Sequence, residues 1–236
     1  VIDHFSMQAQ FLEEKARALL EASQALKSIL SKCSDAQLIP WEKIIELIDV
    51  YKMTQKLEKT WAGKVFSPEQ LKDYAAFEQS LKQYSQDEKD AYEQAWAKLV
   101  SEIEANLDKD PTSVLGIDMG RRCMEMVNRL YGKEWVHLRK AIWEKGFKQG
   151  QMDAEHSLSP EVVQWLGKSI GAYYGKRIQE ILNLENETAF TNLWQELMED
   201  VHGYEEEPKQ VLYQSLLHDN TVNSNAKEWL KKHFVI

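Results

Sequence analysis

The stretch that most constrains this chain runs from Asp110 to Gly150, DPTSVLGIDMGRRCMEMVNRLYGKEWVHLRKAIWEKGFKQG. It reads as two helices with a break at Gly132. On the first, Gly116, Ile117, Gly120, Cys123, Met124, Val127, Leu130 and Tyr131 share about half of the circumference at about 100° per residue. Met119 and Met126 widen that arc, and Arg121, Glu125, Asn128 and Arg129 fill the opposite side. On the second, Trp135, Leu138, Ile142 and Gly146 make one stripe, and Val136, Trp143 and Phe147 make another beside it. A helix apolar over so much of its girth is enclosed by other helices. The hairpin is therefore the expected centre of a helical domain, and the functional question is whether solid core or a pocket surrounds it.

The N-terminal segment has a narrower pattern. Phe5, Leu12, Leu19 and Leu26 recur every seven residues, with Ala9, Ala16, Ser23 and Leu30 four positions further on. This is an a/d seam, with Glu13, Glu14, Lys15, Arg17 and Glu21 off it. It predicts a dimerisation helix over residues 1–34, with Phe5, Leu12, Leu19 and Leu26 as its contacts; the alternative is that the seam packs on its own domain. Val1 already sits in the helical pattern, so the chain reads as a fragment whose N-terminal part is missing.

Between and after these landmarks the signals are helical. Pro40 can open a helix carrying Trp41, Ile44, Ile45, Ile48 and Tyr51, with Gly63 marking its end. Ser67-Pro68-Glu69-Gln70 and Ser85-Gln86-Asp87-Glu88 are capping boxes. They precede the faces Leu71, Tyr74, Phe77 and Leu81, and Tyr92, Trp96, Leu99, Ile103 and Leu107. Ser159-Pro160-Glu161 starts a helix with Val163, Leu166, Ile170, Tyr173, Tyr174, Ile178 and Ile181 on its buried side. Gly167, Gly171 and Gly175 form a ridge without side chains on it. Each glycine costs a helix about 1 kcal/mol relative to Ala, so the ridge predicts close approach by a neighbouring helix or a wall of a ligand cleft. Phe190, Leu193, Trp194, Leu197, Met198 and Val201 make a further helix that stops at Gly203. Pro208 starts the next and Ser224 caps the last. No segment alternates with a period of two, so the expectation is all-α.

Composition narrows the function. The formal net charge of −9 and the absence of a Lys/Arg cluster argue against nucleic-acid binding by this chain itself. Two cysteines without a partner motif, Cys33 and Cys123, fit a reducing cytoplasm. No apolar run is long enough to span a membrane. There is no phosphate-binding glycine loop, no His-Glu-x-x-His and no Cys-x-x-Cys. Asp153, Glu155 and His156, like His202, Glu205, Glu206 and Glu207, lie in breaks between helices and read as solvated loop charge rather than metal ligands. His137 falls on the polar side of its helix. Cys123 reads as a small buried hydrophobe; covalent capture of an electrophile would need a cleft and a lowered thiol pKa. No catalytic group and no cofactor are expected. The many aromatic residues favour binding over turnover, because small-molecule sites are apolar, aromatic-lined cavities with few polar groups.

The heptad helix from Phe5 to Leu30, with Trp41 and a helical region after it, resembles the part C-terminal to the DNA-binding domain in MerR-type transcription regulators. The segment from about Trp61 to Gln151 resembles the TipAS antibiotic-recognition domain. The residues that carry this are Ser67-Pro68-Glu69, the helix Tyr92 to Leu107 with Trp96, the turn Asp110-Pro111-Thr112-Ser113, and Met124 to Tyr131. The part after Leu158 more loosely resembles C-terminal extensions of that group. The resemblance implies a globin-like helical effector-binding domain over residues 35–152 and a helical extension over 153–236. It also implies a homodimer, a hydrophobic small-molecule effector, and promoter binding only through a winged-helix domain absent from this chain. The candidate ligand-binding residues are Tyr92, Trp96, Met124, Tyr131, Trp135, Trp143 and Tyr173. The alternatives are a helical enzyme without a recognised motif, or an interaction scaffold that binds no ligand.

Overall fold

The computed structural model describes residues 41–234, with Ser23 and Lys27 as isolated positions before them. The seam residues Phe5, Leu12, Leu19 and Leu26 lie outside the described residues, as does Cys33. Among the described residues the chain is all-α, without a strand. It forms two compact units, Val1–Lys82 and Gln83–Ile236. The helices after Leu158, read from sequence as an extension, share the second unit with the central hairpin.

In the first unit, helix α1 (Trp41–Leu57) packs along helix α3 (Pro68–Ser80), and the short α2 (Ala62–Val65) joins them. The expected capping box at Ser67 is formed. The Gln70 amide donates to Ser67 Oγ at 3.2 Å, and the Ser67 amide donates to Gln70 Oε1 at 3.1 Å. Two orphan N–H groups are satisfied at once, which sets the register of α3. Trp61, Phe66, Tyr74 and Phe77 stack along its buried side, with Phe66 and Tyr74 centroids 4.8 Å apart. Gly63 does not end α1, as the pattern predicted. The chain turns earlier, at Glu58–Thr60, and Gly63 lies inside α2.

The second unit opens with helix α4 (Gln86–Glu104), held by the second capping box between Ser85 and Glu88. Ser113 caps α5 (Val114–Tyr131), the first arm of the hairpin. Gly132, at φ 59°, ends it in a backbone conformation that only glycine adopts without strain. The second arm differs from the expected regular helix. It is a short α6 (Val136–Ala141) that widens into a π turn over Ile142–Phe147, where the Lys148 amide reaches back five residues to the Trp143 carbonyl at 3.0 Å. The remaining helices are α7 (Pro160–Leu182), α8 (Glu187–His202), α9 (Glu206–His218) and α10 (Ser224–His233). Two boundaries move from their sequence positions. Pro208 sits inside the first turn of α9, where its missing N–H costs no helical bond. Asn223 rather than Ser224 caps α10, accepting from the Ala226 amide at 2.7 Å.

Helix α7 is the spine of this unit. Its 23 residues span about 35 Å at 1.5 Å per residue. Its N-terminal half contributes Val162, Trp165 and Leu166 to a core with Leu99, Ile103, Met119 and Cys123 from α4 and α5. Its C-terminal half contributes Ile181 and Leu182 to a second core with Phe190, Trp194, Leu197, Tyr213 and Leu230. In the latter, the Phe190 and Trp194 rings stack at 5.8 Å and 2°.

Close helix approach occurs, but not along the predicted glycine ridge. Helices α5 and α7 meet at Gly120, where an added Cβ would lie 2.6 Å from Ser169 Oγ and 2.7 Å from the Ser169 carbonyl oxygen. Ser169, fully buried, donates to the Gly116 carbonyl at 2.5 Å. On α7 itself only Gly167 has a neighbour, the Trp143 ring at 3.3 Å. Gly171 and Gly175 face open space among the described residues. The glycine that lets α5 and α7 touch is thus Gly120 on the central helix, and the buried serine opposite it completes the crossing.

Candidate functional site

The polar group that stands out in the second unit is Arg139, on α6. In a helical projection it falls between the stripe of Trp135, Ile142 and Gly146 and that of Val136, Trp143 and Phe147, so the sequence places an arginine on the apolar face. The structure half-buries it. Its guanidinium donates to Asn128 Oδ1 on α5 through Nη1. Through Nη2 it donates to the Asp200 carbonyl at 2.7 Å and the Val201 carbonyl at 3.4 Å. These carbonyls belong to the last turn of α8, where intrahelical donors run out and the helix dipole favours a cation. Lys133 pairs with Glu199, and Lys140 pairs with Glu205 at 2.5 Å, on either side of it. The segment around α6 is thus latched to the end of α8 by three cations.

Around Arg139 sit groups that burial keeps neutral. Burial pushes the Cys123 thiol up to about 12, opposed by the Arg139 charge. Burial also pushes the Tyr92 hydroxyl up to about 12, and the neighbouring Cys123 adds to the rise. The Tyr174 hydroxyl rises to about 12 for the same first reason, against the pull of Asn128 and Arg139. The enclosed Tyr174 hydroxyl has the Asn128 side chain beside it but no partner at full hydrogen-bonding geometry. Burial draws the Arg139 guanidinium below its usual value, while Tyr174, Asp200, Cys123 and Tyr131 oppose that fall. Charge without desolvation relief explains the direction of each shift.

Among the described residues no carboxylate pairs with Arg139. The nearest candidate, Asp200, gives its side chain to Arg177 at 2.9 Å. Arg177 also holds Glu196 at 3.0 Å and lies 6.0 Å from the Tyr173 ring centre. Elsewhere, Arg121 has Asp118 and Glu125, and Arg122 has Glu102.

The seven candidates named from sequence separate into groups. Tyr92, Tyr131 and Tyr173 border the Arg139 cluster, Tyr173 through its ring contact with Tyr174 at 5.0 Å. Met124 is buried on α5 next to Cys123. Trp96 and Trp143 pack instead against the core of Leu99, Ile103, Met119 and Leu166. Trp135 has its ring 6.2 Å from that of His137. Cys123 is 3% exposed and its thiol is pushed upward, so the conditions for covalent capture, an open cleft and a lowered pKa, are not met. Asp153 and His156 form an exposed pair at 2.6 Å, and no group of three metal-binding side chains converges among the described residues.

Sequence reasoning misses Arg139, Asn128 and Tyr174 as a unit. Periodicity puts Asn128 on the polar side of its helix, and Tyr174 is one aromatic among many. The one available signal is the arginine on the apolar face, whose burial demands partners for its donors. Comparison with known proteins adds no relative to this geometry: the chain matches no protein-family model, no curated protein and no solved structure.

Proposed function

We propose that this chain is the effector-sensing and dimerisation portion of a MerR-type transcription regulator, with its small-molecule site at the Arg139 cluster. The observation that carries the site is a half-buried arginine without a carboxylate partner, bordered by Tyr92, Tyr131 and Tyr173 from three helices. A few convergent polar groups in aromatic, apolar surroundings are what a small-molecule site needs. The cluster also lies where α5, α6, α7 and α8 meet. A guest that fits one packing of these helices better than another shifts their populations, and attached DNA readers would respond to that shift. The regulator assignment itself rests on the sequence resemblance.

The local chemistry favours holding over converting. Tyr92, Cys123 and Tyr174 are moved away from ionisation near neutrality, whereas a nucleophile or general base is moved toward it. The test is a thermal-shift screen of hydrophobic antibiotics and metabolites against the chain, repeated on Tyr131→Ala. A specific ligand raises the melting temperature with concentration, and the variant reduces the rise. Binding that Tyr131→Ala leaves unchanged would place the site elsewhere, and silence across a broad panel would remove it.

A further inference from the structure

We propose that the guest of this site carries a single negative charge, a carboxylate or sulfonate, beside its apolar body, and that Arg139 and the Tyr174 hydroxyl hold that charge. This rests on the reading of the cluster as a ligand site and adds the class of ligand. Three observations lead to it.

Arg139 differs from Arg121, Arg122 and Arg177. Each of those three holds a carboxylate, whereas Arg139 donates only to an amide oxygen and to helix-end carbonyls. A guanidinium has five N–H donors, and those bonds leave its Nε–H unspent. Capping α8 explains the contacts to Asp200 and Val201 but not the missing counter-charge. Secondly, the enclosed Tyr174 hydroxyl beside it has no partner at hydrogen-bonding geometry. A buried donor without an acceptor is a standing cost that a guest oxygen would relieve. Thirdly, Asn128, Tyr92 and Cys123 are neutral, and Asp200, the carboxylate whose charge does reach Arg139, has its side chain on Arg177 at 2.9 Å, so none of them gives the guanidinium a paired counter-charge.

The charge and shape of the site select among anions. A planar monoanion matches the guanidinium fork, which donates two parallel N–H bonds to its oxygens. A dianionic phosphate would meet one cation and one hydroxyl, with the Asp200 and Glu196 carboxylates close behind Arg177. The apolar body then rests against Tyr131 and Tyr173.

Two fluorescent probes with one aromatic frame separate the possibilities. 1-Anilinonaphthalene-8-sulfonate carries the anion, and N-phenyl-1-naphthylamine lacks it. Titrated into the intact chain, both should bind, the sulfonate more tightly. Arg139→Met should weaken the sulfonate by about tenfold or more, the loss of one charged hydrogen-bond anchor, and leave the neutral probe within about twofold. Tyr174→Phe, which removes only a hydroxyl, should weaken the sulfonate by about threefold to tenfold and serves as the deciding variant if Arg139→Met fails to fold. Equal binding of both probes, or sulfonate binding indifferent to Tyr174→Phe, overturns the anion assignment while leaving an apolar site. Failure of both probes to bind overturns the site reading and this inference together.

Discussion

The crossing of α5 over α7 makes a prediction whose sign is opposite at three glycines. At Gly120 the missing Cβ is what lets the helices touch. A methyl there would meet Ser169 Oγ, carbon and carbonyl oxygen at 2.6–2.7 Å. Two of those atoms are backbone, so relief requires moving a helix rather than a rotamer. Overpacking of this kind costs about 1–3 kcal/mol. The shift also strains the buried bond from Ser169 to the Gly116 carbonyl, worth about 1 kcal/mol. Against this, Ala gains about 1 kcal/mol of helix propensity over Gly. Gly120→Ala should therefore destabilise the chain by about 1–3 kcal/mol. At Gly171 and Gly175 an added Cβ has nothing within 4 Å among the described residues, and neither position has positive φ. Only the propensity remains, so Gly171→Ala and Gly175→Ala should each stabilise by about 0.5–1 kcal/mol. Urea unfolding followed by far-ultraviolet circular dichroism reads all three as shifts in midpoint at constant slope. If Gly120→Ala is as stable as the parent or more so, the helices do not meet backbone to backbone. If Gly171→Ala destabilises, something packs on the outer face of α7.

Four further outcomes concern single sites. Gly203→Ala should cost about 2–3 kcal/mol, because φ is 58° there and a Cβ would strike the Lys133 carbonyl and lie 3.0 Å from Val136; chemical denaturation measures it, and a loss below about 0.5 kcal/mol would contradict the cap. Ser67→Ala should remove about 1 kcal/mol by breaking the first capping box, seen as a lower midpoint. In a Cys33→Ser background, Cys123 should resist Ellman's reagent at pH 8 until the chain is unfolded, since its thiol is 3% exposed and pushed up to about 12; rapid native labelling would refute its burial. His202 is held down to about 4, first by burial and then by Lys140, with Lys209 and Arg139 adding and Glu205 opposing. The unfolded ring binds its proton from about 6.5 downward and the folded one only near 4, so this stability is complete above 6.5 and is lost as pH falls through that window. Solvent screening of the half-exposed ring reduces the loss to about 1–2 kcal/mol, and the difference between the parent and His202→Phe should show it as a slope that the variant lacks.

How much of this was legible depends on what kind of physics each feature uses. Local signals were readable: Ser67 with Gln70 and Ser85 with Glu88 are short-range hydrogen-bond pairs that the spacing specifies by itself. Periodicity was readable too, and the buried faces of Leu99 and Ile103, of Val163 and Leu166, and of Trp194 and Leu197 follow it. The partner of a glycine was not. Gly167, Gly171 and Gly175 look identical in sequence, yet only the first meets a ring, because the opposing helix is chosen by the whole fold. The π turn at Ile142–Phe147 was hidden for a related reason. A change from 3.6 to wider winding alters which residues face inward without altering composition. Arg139 was not read as a site, since Asn128, Tyr174 and the end of α8 come to it from distances of 11 to 62 residues along the chain.

The place of Arg139 in the latch says what a bound guest could move. Helix α6 is six residues long, below the length at which a helix is stable alone. It is held by Leu138 and Val136 in the interior and by Lys133, Arg139 and Lys140 against the end of α8. A partly exposed pair such as Lys140–Glu205 contributes about 0–1 kcal/mol. A ligand at a hundred times its dissociation constant contributes about 2.7 kcal/mol. That is enough to exchange such pairs for a new arrangement, but not to expel a buried Leu138, whose loss costs about 2–5 kcal/mol. An anion taken up by Arg139 draws its guanidinium from the Asp200 and Val201 carbonyls, so the last turn of α8 is where occupancy should first be felt. Amide hydrogen exchange can locate this: protection should change at Asp200 to Tyr204 on adding 1-anilinonaphthalene-8-sulfonate and stay constant in the stacked core of Phe190 and Trp194. A uniform gain across α8 would mean simple stabilisation, with no second packing for a ligand to select.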